Sequence, residues 1–149
     1  MAFSLYRTLE INKMTTAEWF FGYGSLVNCK THDYPHPEPA ELGGWRRIWV
    51  QTKTNNVCFL SAHQSGDDTI QGLIARVPDN NWDKLDQREH SYIRHRIPHL
   101  ITSRIKPDDV QVYAVPTDTH EITNIKKPIL LSYLDVVLSG YEYVYGREG

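Results

Sequence analysis

The chain has 149 residues, 40% of them hydrophobic and 11% aromatic, with 16 Lys and Arg against 18 Asp and Glu for a formal charge of −2. That length and composition support one domain with a real core and exclude a disordered chain. The near-neutral balance argues against a dedicated nucleic-acid binder, and no apolar run is long enough to span a bilayer.

Residues 1–7 carry neither a continuous apolar segment nor a small-residue cleavage site, so no secretory leader is expected. Cys29 and Cys58 are too few for a disulfide framework and match no zinc spacing. They read as reduced thiols of a cytoplasmic protein. Residues 1–13 show no clear period and read as an N-terminal strap or an over-called start. The remaining 14–149 form a single domain, without repeats or a Gly/Ser linker.

The aromatic run Trp19, Phe20, Phe21 predicts a buried strand that stops at Gly22-Tyr23-Gly24-Ser25. Pro35, Pro37 and Pro39 predict an extended loop. Gly43-Gly44 leads into a second strand over 45–51, and Asn55-Asn56 forms a turn before a strand at 57–62. The polar stretch 64–68 reads as another turn before a strand at 69–77. Pro78-Asp79-Asn80 offers the start of a short helix near 80–88, with Trp82 and Leu85 on its apolar edge. Later strands are expected at 92–97 and 110–115. In the second, Val110, Val112 and Ala114 face one way and Gln111 and Tyr113 the other. Pro128 suits the first turn of a C-terminal helix, where Leu130, Leu134, Val137 and Tyr141 recur at helical spacing and face the core. The fold class is α+β: a curved mixed sheet or small β-barrel with a few packed helices.

Two stretches carry chemistry. In Gly22-Tyr23-Gly24-Ser25-Leu26, Gly24 frees the backbone and leaves no side chain between the amides and a ligand, so successive N–H groups could form an anion-binding nest. A dinucleotide motif is absent because Val27 stands where the third glycine is needed, and no Gly-Lys-Ser/Thr follows. Taken alone, such a stretch is more often an ordinary strand-ending turn. The second runs Leu85-Asp86-Gln87-Arg88-Glu89-His90-Ser91-Tyr92-Ile93-Arg94. Here Glu89 lies between an apolar-edged helix and a Tyr/Ile strand, where burial would raise its proton affinity toward that of a general base. By spacing alone, a solvated carboxylate paired with Arg88 or Arg94 is the commoner outcome.

Together these stretches resemble the γ-glutamylcyclotransferase-like superfamily, through the Tyr-Gly-Ser-Leu turn and the Leu-Asp-x-x-Glu-x-x-Tyr-x-Arg segment. Gly44-Trp45-Arg46-Arg47 is similar to a stretch of the ChaC-like branch. Ser132-Tyr133-Leu134-Asp135 and Gly140-Tyr141 resemble the tail of bacterial members, some of which continue past the position of Gly149. The resemblance implies a small β-barrel-like α+β domain with no metal or organic cofactor. It implies conversion of a γ-glutamyl compound to 5-oxoproline and an amine, with Tyr23, Gly24, Ser25 and Leu26 binding substrate and Glu89 as catalytic acid/base. Tyr113 and Tyr133 are further pocket candidates, each also readable as a core or rim aromatic. The expected partner is a small anionic γ-glutamyl substrate, with neither nucleic acid nor membrane. The leaving amine (from glutathione, a γ-glutamyl amino acid or a γ-glutamylamine) and the oligomeric state stay open.

Two rival classes remain. One is a non-catalytic ligand-binding or regulatory module of the same fold. The other is a metal-dependent hydrolase using His90, His95 and His99. It lacks a His-Glu-x-x-His motif, and Pro98 places a break between His95 and His99. The cluster Arg88, Arg94, Arg96 and Arg104 would attract an anion or form a solvated strand face.

Overall fold

Trp19, Phe20 and Phe21 are each at most 1% exposed because the strand they form, β1 (Glu18–Gly22), is interior to the sheet with both faces covered. The computed structural model describes residues 17–97, 100–121 and 125–147. The expected strap at 1–13 lies outside the described residues, as do Pro98 and His99. After β1 come short 3-10 turns at Ser25–Val27 and Cys29–Thr31, then β2 (Glu38–Val50) and β3 (Phe59–Arg76). A further 3-10 turn at Pro78–Asn80 leads into α1 (Asp83–Arg88), β4 (Ile93–Arg96), β5 (Ile101–Ser103) and β6 (Asp109–Ala114). A 3-10 turn at Thr117–Thr119 precedes the C-terminal helix α2 (Leu131–Tyr145).

The strands make a six-stranded sheet in the order β4-β6-β1-β3-β2-β5. β1 is parallel to β6, and every other pairing is antiparallel. β4 and β5 end that order, so the sheet is curved and mixed with two edges, and the fold is α+β as expected.

Several element boundaries differ from the sequence reading, each for a physical reason. The strand expected at 45–51 begins earlier, at Glu38, and takes in Pro39, which lies just before the pairing with β5 begins at Ala40. The strands expected at 57–62 and 69–77 are one strand of 18 residues. Both halves pair with β2, and the polar 64–68 stretch is a bulge, because Gly43 faces Thr69 while Trp45 faces Gln64. Gly44 takes up the distortion on the opposing strand with φ of +78°, a conformation that favours glycine. α1 starts only at Asp83, with Trp82 as its cap residue. α2 starts after Leu130, which is 49% exposed and so is not core, and Pro128 precedes the helix and accepts the Cys58 N–H at 2.9 Å.

Alternation along the strands divides the core in two. Trp19, Phe21, Val110, Val112 and Ala114 pack on one side with Val137 of α2. Phe20, Leu26, Val27, Trp82, Leu85 and Tyr113 pack on the other. Asn28 Nδ2 donates to the Val136 carbonyl at 3.0 Å, so the turns after β1 and the helix α2 are fastened to each other.

Candidate active site

The C-terminal end of β1 opens onto a narrow cleft lined by residues 21–26 together with Leu60, Glu89, Tyr92, Tyr113 and Tyr133. Every residue expected at the site therefore lines one cavity, although the residues come from the turn after β1, the end of α1, β6 and α2.

The strand-ending turn is short because it winds at once into a 3-10 turn. Val27 N–H donates to the Gly24 carbonyl at 3.1 Å and Asn28 N–H to the Ser25 carbonyl at 3.0 Å. These bonds leave the N–H groups of Gly24 and Leu26 unused by the turn. Gly24 has φ of −125°, so positive φ does not explain the glycine. Space does: a Cβ there would stand 2.8 Å from the Tyr133 hydroxyl. Tyr23 is anchored through its own hydroxyl, which donates to the Tyr113 carbonyl at 2.6 Å. Its carbonyl accepts from Arg47 Nε at 3.2 Å and from the Tyr141 hydroxyl at 2.8 Å.

Glu89 sits where α1 ends. Its N–H closes the helix on the Leu85 carbonyl at 2.9 Å, its carbonyl accepts the Tyr92 N–H at 2.9 Å, and Leu85 itself is fully buried. The carboxylate is thus presented from a braced position. The side chain is only 14% exposed, with Arg88 Nε 3.5 Å from Oε1. Burial pushes its pKa up, while the positive charges of Arg88 and His90 pull it back, and burial wins. Arg88 also reaches across to the turn, donating to Ser25 Oγ at 3.3 Å, the Thr31 carbonyl at 2.9 Å and Thr31 Oγ1 at 3.1 Å. One guanidinium therefore ties the acid's helix end to the turn that faces the cleft.

Four phenols surround the carboxylate. Burial raises the pKa of Tyr23, Tyr92, Tyr113 and Tyr133, and the Glu89 charge adds to the effect in each, so all four stay protonated at neutral pH. Their hydroxyls are not equally free. Tyr92 donates to the Leu60 carbonyl at 2.8 Å, and Tyr113 donates to Asp86 Oδ1 at 2.6 Å. Asp86 is held in turn by Arg94, whose Nε approaches Oδ1 at 2.8 Å and Nη2 approaches Oδ2 at 3.1 Å. The Tyr113 ring lines the cleft while its hydroxyl is committed elsewhere. Leu26 contributes an apolar wall and is itself buried.

A wider outer chamber of about 430 Å³ shares Ser25, Glu89, Tyr92 and Tyr133 with the cleft and extends to Phe59, His90 and Leu130. The carboxylate thus stands where the two cavities meet.

Among the described residues no group of three His, Cys, Asp or Glu side chains could hold a metal ion. His63 accepts from Arg46 Nε at 3.0 Å, and His95 lies against the Trp45 ring at 5.8 Å. The other arginines of the predicted cluster are paired: Arg94 with Asp86, Arg96 with Asp109 at 3.1 Å and Arg104 with Glu38. Arg96 and Arg104 are exposed at the surface, and Arg94 is half-buried behind Tyr113, where it holds Asp86.

Sequence reasoning did not single out Tyr92, Arg47 and Tyr141. Tyr92 had a signal, being one turn beyond Glu89 at the start of the next strand. Arg47 and Tyr141 had none beyond their motifs, because β2 and α2 bring them to Tyr23 only in the folded chain.

Comparison with known proteins matches residues 20–131 to the family described as Gamma-glutamyl cyclotransferase, AIG2-like. No match was found among curated protein sequences. Among solved structures, the chain is similar to a γ-glutamyl cyclotransferase, with TM-score 0.70 and 15% identity over 89% of this chain and 82% of that one. It is similar to YkqA from Bacillus subtilis, with TM-score 0.67 and 18% identity over 93% of this chain and 53% of that one. A yeast γ-glutamyl cyclotransferase specific to glutathione aligns with TM-score 0.61 and 15% identity over 84% of this chain and 86% of that one. At these identities the likeness is one of fold. No helix among the described residues is long and apolar enough to cross a membrane. Since the family match takes in most of the 149 residues, the chain belongs to the γ-glutamyl cyclotransferase, AIG2-like family.

Proposed function

We propose that this protein is a γ-glutamylcyclotransferase-type enzyme in which Glu89 is the general acid/base. One observation carries the reading: a carboxyl of raised proton affinity, on a cleft that it shares with the turn at 23–26. The substrate's own α-amine attacks its γ-carbonyl carbon, a C–N bond closes the lactam, and the bond to the departing amine then breaks. Nucleophile and electrophile belong to one molecule, so the protein needs no side-chain nucleophile and has instead to hold a folded conformer. Glu89 takes a proton from the amine and returns one to the departing nitrogen, which leaves the carboxylate unchanged over the cycle. The raised pKa suits both halves of that shuttle. Main-chain N–H groups of the turn provide fixed donors for the oxyanion and for the substrate's α-carboxylate. The outer chamber adjoins Glu89 on the side available to the departing amine.

The similarity of Gly44-Trp45-Arg46-Arg47 to the ChaC-like branch and the yeast relative specific to glutathione support glutathione as the first substrate to test. The test is release of 5-oxoproline from glutathione, a γ-glutamyl amino acid and a γ-glutamylamine, with and without a chelator. Chelator-independent release from at least one of them is expected. Saturable binding without release from any would support a ligand-binding module, and loss of activity in chelator would support a metal-dependent hydrolase.

A further inference from the structure

The Tyr23 carbonyl is turned toward two residues that do not line the cleft, Arg47 of β2 and Tyr141 of α2. These two are fixed to each other before they reach it. The Arg47 guanidinium lies 4.7 Å from the centre of the Tyr141 ring, and its Nη2 donates to the phenol oxygen and, at 2.5 Å, to the Gln71 carbonyl of β3. Burial pushes the Tyr141 pKa up to about 12 despite the opposing pull of Arg47, so the phenol is a donor at neutral pH. Its single proton serves either the Tyr23 carbonyl at 2.8 Å or the Gln71 carbonyl at 2.6 Å, which makes Arg47 Nε the constant donor to Tyr23.

A carbonyl and the N–H that follows it share one planar trans peptide and point to opposite sides. Holding the Tyr23 carbonyl toward Arg47 and Tyr141 therefore holds the Gly24 N–H toward the other side, where Gly24 lines the cleft. A cation at the carbonyl end also polarises the amide and strengthens the N–H as a donor. We propose that Arg47 and Tyr141 are positioning residues that aim the Gly24 N–H at the oxyanion formed when a γ-carbonyl in the cleft is attacked. The identity of that oxyanion rests on the cyclotransferase reading; the clamp on the peptide does not.

The test compares Tyr141→Phe, Arg47→Met and Arg47→Lys with Tyr145→Phe as a matched control. Tyr145 is also on α2, and its hydroxyl contacts the Ala40 carbonyl at 3.1 Å and the Gly72 carbonyl at 2.6 Å. It thus loses the same kind of bond away from Tyr23. Tyr141→Phe and Arg47→Met are expected to lower kcat for 5-oxoproline release by about 10- to 100-fold with KM changed less than about threefold. Arg47→Lys should restore part of the loss. Tyr145→Phe should lower the thermal midpoint as much as Tyr141→Phe does, with kcat kept within about twofold. The Gly24 amide resonance should move in Tyr141→Phe and Arg47→Met and stay in place in Tyr145→Phe. Wild-type kcat and an unmoved Gly24 resonance in Arg47→Met would overturn the proposal, as would an equal loss of kcat in Tyr145→Phe. If the wild-type protein releases no 5-oxoproline, the cyclotransferase reading fails, and the Gly24 resonance alone decides whether the clamp exists.

Discussion

A Cβ added to Gly24 would stand 2.8 Å from the Tyr133 hydroxyl, closer than real side-chain carbons approach such an oxygen. The helix α2 therefore closes over the turn at a point where any larger residue would have to displace the Tyr133 hydroxyl. The next contacts, Leu60 Cδ2 at 3.4 Å and the Tyr133 ring at 4.0 Å, are tolerable. Gly24→Ala should cost about 1–2 kcal/mol in the wild-type background and less than half of that beside Tyr133→Phe, read by urea unfolding of the four proteins. Equal costs in both backgrounds would contradict the contact. Gly24→Val, which fills the cleft wall, should abolish binding of a γ-glutamyl ligand while Glu89→Gln retains it, measured by titration calorimetry.

Gly140 makes the corresponding contact at the other face of the turn. A Cβ there would meet the Asn28 nitrogen at 2.7 Å and its Cα at 2.8 Å, and backbone atoms cannot swing away. Gly140→Ala should destabilise the protein by about 1–3 kcal/mol. Because α2 carries Tyr133 and Tyr141 to the site, kcat should fall as well. An alanine variant with unchanged unfolding midpoint and activity would show that α2 does not set the turn.

Burial of Glu89 has a consequence for stability against pH. Its pKa is raised on folding, so the native chain binds more protons than the unfolded chain between the ordinary glutamate value and the raised one. The stabilisation from this group is present below about pH 4.3, declines as pH rises through that window, and is lost above it. Glu89→Gln removes the titration. The unfolding free energy of the variant relative to wild type should therefore climb with pH across the window and then level off, followed by urea unfolding in half-unit steps. A difference that stays constant from acid to neutral pH would mean that the carboxyl is not buried in solution.

Much of this arrangement was legible before any coordinates. The Trp19–Phe21 run, unbroken by a polar residue, read as a buried strand, and the glycines after it as its turn. Leu85 on the apolar edge of α1 made burial of Glu89 readable, although its spacing alone favoured a solvated carboxylate, and the packing around the helix end decides between them. Less was legible where distant segments meet. The 64–68 stretch has turn chemistry, and only the partner strand, with Gly44 opposite, shows that it is a bulge inside one long strand. β5 has three residues and is held by its pairing with β2, so no periodicity could announce it. Tyr113 was readable as either a pocket or a core aromatic; it lines the cleft and packs in the core at once, and its commitment to Asp86 depends on α1 and β6 being brought side by side. Arg47 and Tyr141 reach the Tyr23 carbonyl from opposite ends of the chain.

The most direct measurement is the rate of 5-oxoproline release by the wild-type protein and by Glu89→Gln, at saturating γ-glutamyl substrate and with unfolding midpoints recorded alongside. The amide keeps the shape of the carboxylate but cannot shuttle a proton. A folded variant that turns over about 10²- to 10⁴-fold more slowly is the predicted result. A folded variant that releases 5-oxoproline as fast as wild type would contradict the account.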